Sequence, residues 1–177
     1  MTFTVTPVGA LVIEPERLSD DRGFFARSFC AREFEAHGLD PRVAQCNISF
    51  NPRRGTVRGM HFQRPPHAEA KLVRCTAGAL WDVALDLRPE SPTFCRHFAL
   101  ELSAENRKML YLPEGLAHGY QTLADDTEVF YQVSAAYAPT TVVSAETDDE
   151  MRAMIENAAA TIEPLLQRLR HQQPAST

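Results

Sequence analysis

From Phe3 to about Val143 the chain alternates short apolar segments with turn residues, the rhythm of a molecule built from strands. "GALVIEP" is an apolar run that stops at Pro15, and "DDRGF" is a turn built on Asp and Gly. "ALWDVALDLRPESPTF" holds a strict alternation, with Leu80, Asp82, Ala84 and Asp86 on one face and Trp81, Val83, Leu85 and Leu87 on the other. "CRHFALELS", "RKMLYLPEG" and "TEVFYQVSAAYAP" continue the pattern at the spacing of a β-sandwich or barrel. One early helix is expected, "AREFEAHG", closed by Gly38. The tail changes period. In "TDDEMRAMIENAAATIEPLLQRLR", Thr147 and Glu150 fit a capping box, and Asp148 and Asp149 suit the positive end of a helix dipole. Met151, Met154, Ile155, Ala158 and Ile162 recur at helical spacing until Pro164, which should kink the helix. The pattern therefore divides the chain into a β domain over 1–143 and a helical extension over 144–177, packed on the barrel or on a partner subunit, with "HQQPAST" frayed.

Composition narrows this picture modestly. A chain of 177 residues with 44% apolar and 23% charged side chains has the material for one globular domain with a sizeable core. A net charge of −5 gives no global reason to expect nucleic acid, although a basic pocket can lie inside an acidic protein. No apolar run approaches the roughly 20 residues of a membrane helix. Cys30, Cys46, Cys75 and Cys95 form no CxxC pair, and "MTFTVTPVGALVIEPERLSDD" has no signal-peptide pattern. The expectation is a soluble cytoplasmic protein with free, buried thiols.

The chemistry concentrates in two stretches. "RGMHFQRPPHAEAKLVR", from Arg58 to Arg74, sets His61, His67 and Lys71 among three arginines and one acid, Glu69. "LYLPEGLAHGYQTL" contains Pro113-x-Gly115-x-x-His118, a sharp turn that returns a histidine to the interior. Together these stretches resemble the paired motifs of the cupin superfamily, double-stranded β-helix (jelly-roll) barrels. Metal-binding cupins usually show His-x-His and a glutamate in the first motif. Here Gln63 follows His61, and Lys71 lies near the expected acidic ligand. An ammonium ion offers a metal no lone pair, so the pattern disfavours a catalytic metal and leaves only His67 and His118 as further ligand candidates.

The resemblance narrows with "DDRGFFARSF", "RGMHFQ", "AKLVRCTAGALWDVALDLRPESPTF", "LSAENRKMLYLPEGLAHGY" and "EVFYQVSAAYAP". In order and over roughly residues 3–140, these look like consecutive blocks of the dTDP-4-dehydrorhamnose 3,5-epimerase family. That resemblance implies a metal-free, cofactor-free cupin homodimer acting on a nucleotide-diphosphate sugar of the 4-keto-6-deoxy class, with no nucleic-acid or membrane partner. It assigns the base to His61 and the acid to Tyr131. Epimerisation beside a ketone needs a base at carbon, a cation or donor at the carbonyl oxygen, and an acid on the opposite face. A histidine's ordinary pKa of about 6.5 suits the base. Lys71, with Arg58 as a second candidate, meets the developing oxyanion, and a desolvated phenol at Tyr131 returns the proton; Tyr137 is a rival donor. His118 is a second site residue or a structural histidine. Asp82, inside a barrel, needs a partner, and orienting a histidine or meeting a sugar hydroxyl would supply one. Gln63 joins the substrate-binding set. On the nucleotide side the resemblance places Arg22 near the diphosphate, and Gln45 and Asn47 at its polar "QxN" positions.

After "AAYAP" the resemblance stops. Family members usually continue into "W-N-D-P…I-x-W-P" and "L-S-x-K-D", whose last aspartate holds the ring of the catalytic histidine. This chain has neither block, and Trp81 is its only tryptophan. Asp82, Asp148 or Asp149 would have to orient His61 instead. Arg27 stands where the family commonly has glutamate. Beside the epimerase reading stand a ketoisomerase with the same enolate chemistry and a non-catalytic cupin that binds a nucleotide sugar.

Overall fold

The computed structural model describes residues 1–144; the tail helix expected from the sequence, with Asp148 and Asp149, lies outside them. Thirteen strands and one short helix make up this part. A six-stranded antiparallel sheet runs in the order β1 (Thr2–Val5), β2 (Leu11–Glu14), β10 (Met109–Leu112), β7 (Lys71–Ala77), β12 (Thr127–Val133), β5 (Gln45–Asn51). Against it lies a five-stranded sheet in the order β13 (Val142–Ser144), β6 (Val57–Gln63), β11 (Leu116–Thr122), β8 (Ala79–Asp86), β9 (His97–Ser103). β3 (Arg17–Asp20) and β4 (Gly23–Ala26) form a separate hairpin. Among the described residues no helix is long and apolar enough to cross a membrane.

The alternation that predicted the strands also decides what is buried. Leu80, Asp82, Ala84 and Asp86 of β8 are all fully buried, as their shared face requires. Leu80 and Ala84 meet Val73 and Cys75 of β7, Leu110 and Leu112 of β10, and Val129 of β12 in one cluster between the sheets. Each such aliphatic side chain contributes about 1.5–3 kcal/mol by leaving water. On β12 the inward set is Thr127, Val129, Tyr131 and Val133, and Phe130 faces outward beneath the Arg74 guanidinium, 5.0 Å from its ring. The helix α1 (Ala31–Ala36) ends one residue before His37, with Gly38 at φ +70°, and buries Phe34 on the outer face of the large sheet.

Two features align the site strands. At the turn into β11, the Leu116 amide donates to the Pro113 carbonyl, and Gly115 takes φ +83° with the Arg88 side chain packed against it. Arg88 is held in turn by the buried Asp86, which also accepts from Ser91 and Thr93. Burial alone would raise the Asp86 pKa, but these donors overcome it and hold the carboxyl well below the usual carboxylate range. In the small sheet, β6 and β11 shift register between His118 and Tyr120. There Gly59, at φ +97°, lies so close to β11 that a Cβ would meet the His118 carbonyl oxygen at 2.5 Å. All four cysteines are free, but only Cys75 is buried and Cys46 is exposed, so the expectation of buried thiols holds for one of them.

Candidate active site

Between the sheets opens a cleft in two lobes. One, of about 390 Å³, is lined by Gln45, Asn47, Glu69 and Tyr137 among others; the second, of about 330 Å³, by Ser49, Arg58, His118 and Tyr120. His61, Lys71 and Tyr131 line both lobes, so these three side chains stand at their junction. They come from β6, β7 and β12, and each arrives by alternation. Lys71 opens β7 and shares the inward face with Val73 and Cys75.

His61 sits opposite His118 in the β6–β11 register, with ring centroids 6.5 Å apart. Burial, then the positive charge of Lys71, His118 and Arg58, lowers its pKa to about 4. The imidazole is thus neutral at pH 7 and free to accept a proton. Among the described residues no carboxylate bonds to it. Asp82, fully buried, instead bonds the His118 Nε2 through its Oδ1 at 2.7 Å. Asp82 thus orients a histidine, but that histidine is His118, the neighbour of His61 on the adjoining strand. Among the described residues the Asp82 Oδ2 has no hydrogen-bond partner.

Lys71 is nearly buried and forms an ion pair with Glu69, Nζ to Oε1 3.0 Å. Burial and then the Glu69 charge raise the Tyr131 pKa, so this phenol keeps its proton well above neutral pH. Arg58 donates through Nε to the Asn51 Oδ1 at 2.7 Å, leaving its terminal nitrogens for the cleft. The Tyr120 hydroxyl bonds the Ser49 Oγ at 2.9 Å and accepts from the Asn51 Nδ2 at 3.3 Å.

Of the residues expected from the sequence, His61, Lys71, Tyr131, Gln45, Asn47, Arg58, Gln63, His118 and Tyr137 all line the cleft, and Asp82 supports it from beneath. Gln63 also ties the cleft wall together. Its Nε2 is shared among the His67 carbonyl, the Glu69 Oε2 and the Ala136 carbonyl, and its Oε1 accepts from the Ala138 amide. With its amide engaged by the protein, Gln63 pins the cleft wall. The Gln45 Oε1 accepts from the Tyr137 amide at 2.7 Å, tying that segment to β5. Arg22 is not brought to this cleft: it is exposed on the β3–β4 hairpin and paired with Asp20. His67 is exposed, and among the described residues no three His, Cys, Asp or Glu side chains gather as a metal cluster. Sequence reading missed Glu69 and Tyr120. Glu69 lies two residues before Lys71, so extending the strand period back by one step would have turned it inward.

The family model described as dTDP-4-dehydrorhamnose 3,5-epimerase matches residues 6–161. A relative of the same description from Sinorhizobium fredii is 46% identical over 127 residues, which are 72% of this chain and 65% of the relative's length. The crystal structure of dTDP-4-dehydrorhamnose 3,5-epimerase from Elizabethkingia anophelis superposes with a TM-score of 0.79 at 39% identity, covering 81% of this chain and 79% of that one. The Legionella pneumophila dTDP-6-deoxy-D-glucose-3,5-epimerase, solved in complex with dTDP-4-keto-L-rhamnose, gives 0.75 at 35% identity, covering 81% and 76%. The match spans most of the β domain, including every strand that supplies the cleft, and on that ground the chain belongs to the dTDP-4-dehydrorhamnose 3,5-epimerase family.

Proposed function

We propose that the protein epimerises a nucleotide-linked 4-keto-6-deoxy sugar at carbon 3, carbon 5 or both. The observation that carries this reading is the convergence of a neutral imidazole, an ammonium ion and a protonated phenol at one junction. His61 takes the proton from the carbon beside the ketone, and the C–H electron pair moves onto the carbonyl oxygen. Lys71 meets the resulting enolate oxygen, with the Arg58 guanidinium as a second donor. Tyr131 then donates its proton to the opposite face of the same carbon. Solvent returns a proton to the phenolate and removes one from His61, restoring the resting forms. The nucleotide-sugar ligand in the Legionella relative supports the substrate class.

The facing antiparallel sheets and the returned His118 support a cupin-type jelly roll over 1–143, with 144–177 as an extension. Exposed Val5, Leu18, Phe25, Ile48 and Phe50 are the apolar surface a homodimer would cover, and four unpaired thiols suit a reducing cytoplasm. Incubation with dTDP-, GDP- and CDP-linked 4-keto-6-deoxy sugars in D₂O tests the activity. Deuterium at carbon 3 or 5 is the expected outcome, and its absence from every substrate defeats the reading.

A further inference from the structure

Glu69 has no role in the proton transfers just described, yet it is a nearly buried carboxylate inside the cleft. A carboxylate there is costly unless both oxygens are engaged. They are: Oε1 holds the Lys71 Nζ at 3.0 Å, and Oε2 accepts from the Gln63 Nε2 at 3.2 Å. Gln63 in turn is fixed to the backbone of residues 67, 136 and 138. A rigid chain of contacts therefore runs from the cleft wall through Gln63 and Glu69 to the ammonium ion.

Resting on the epimerase reading, we propose that Glu69 is a positioning residue that fixes the Lys71 ammonium ion at the enolate oxygen. A lysine side chain has several rotatable bonds, and an unanchored ammonium ion would lose much of its value as a preorganised donor. The groups around the phenol are Glu69, Tyr120 and Arg58, with His61 and Lys71 lining the same space. Glu69 is the one carboxylate among them. The arrangement also explains why an acid is tolerated beside a developing negative charge: its oxygens are spent on Lys71 and Gln63.

The test has one arm that needs no substrate. The chain has four tyrosines, so ¹³Cζ-tyrosine labelling of the intact protein resolves the Tyr131 titration by NMR. In Glu69→Gln that titration should move down by about one pH unit, since a nearby charge shifts a pKa by roughly 1–3 units. An unmoved Tyr131 would mean that the Glu69 charge does not sit in the cleft beside Lys71, and it overturns the proposal. In the second arm, deuterium wash-in is measured for Glu69→Gln in the wild-type and Lys71→Met backgrounds. The expected result is a kcat loss of about tenfold or more with KM little changed, and no further loss where Lys71 is already absent. Equal losses in both backgrounds overturn the positioning role. If wild type exchanges no deuterium with any substrate, the epimerase reading falls, while the tyrosine titration still judges Glu69. Should Glu69→Gln not fold, Glu69→Asp carries both arms. It keeps the charge but withdraws it by one methylene, so Tyr131 should titrate near its wild-type value while kcat falls; an unchanged kcat overturns the proposal.

Discussion

His61 departs from the ordinary histidine that the sequence suggested. An unperturbed imidazole would be half protonated near pH 6.5, whereas this one is lowered to about 4. Arg58 is near it in sequence, but Lys71 and His118 reach it from other strands, and burial is a property of the packed sheets. Two consequences follow. The acidic limb of kcat/KM should lie near pH 4, well below 6.5, as read from initial wash-in rates across pH. Stability should also fall as pH drops from about 6.5 towards 4, because in that window the unfolded chain binds a proton that folded His61 refuses. His61→Asn should flatten that part of the curve of urea midpoint against pH. Lys71→Met should reduce kcat by about 10²–10³-fold, the usual cost of removing one preorganised oxyanion donor.

At the scale of elements, β6 and β11 depend on a glycine contact. Gly59→Ala would place a methyl group at 2.5 Å from the His118 carbonyl oxygen while forcing φ +97° on a residue with a Cβ. We expect it to lower stability by at least about 1–3 kcal/mol in denaturant titration and to slow wash-in, since His61 and His118 sit on either side of that contact. The inward face of β8 was legible from alternation alone, and so was the return of His118 after Gly115. Glu69 was not, because "HAEAK" looks helical in isolation and only the pairing of β7 with β12 and β10 shows where the strand begins. The partner of Asp82 was equally hidden. A buried carboxylate announces its need for a histidine, but two histidines face each other there, and only the register decides that His118 receives it.

The whole molecule brings together what lies far apart in the chain. His61, Lys71, His118 and Tyr131 gather because β6 and β11 pair in one sheet while β7 and β12 pair in the other. Several strand segments, such as those of β8 and β12, were readable from the sequence; the order of strands in each sheet was not, since antiparallel partners are chosen by the packing of all faces at once. Arg22, expected near a diphosphate, lies within one chain on the β3–β4 hairpin, outside the cleft and paired with Asp20. The central claim is that a neutral His61 removes the sugar proton. Its most direct test is the rate of deuterium incorporation into a 4-keto-6-deoxy nucleotide sugar by wild type and by His61→Ala, in chelator-treated buffer at pH 7. Wild type should label carbon 3 or 5, and the variant should do so at least about 10²-fold more slowly. Equal rates in the two proteins would contradict the account.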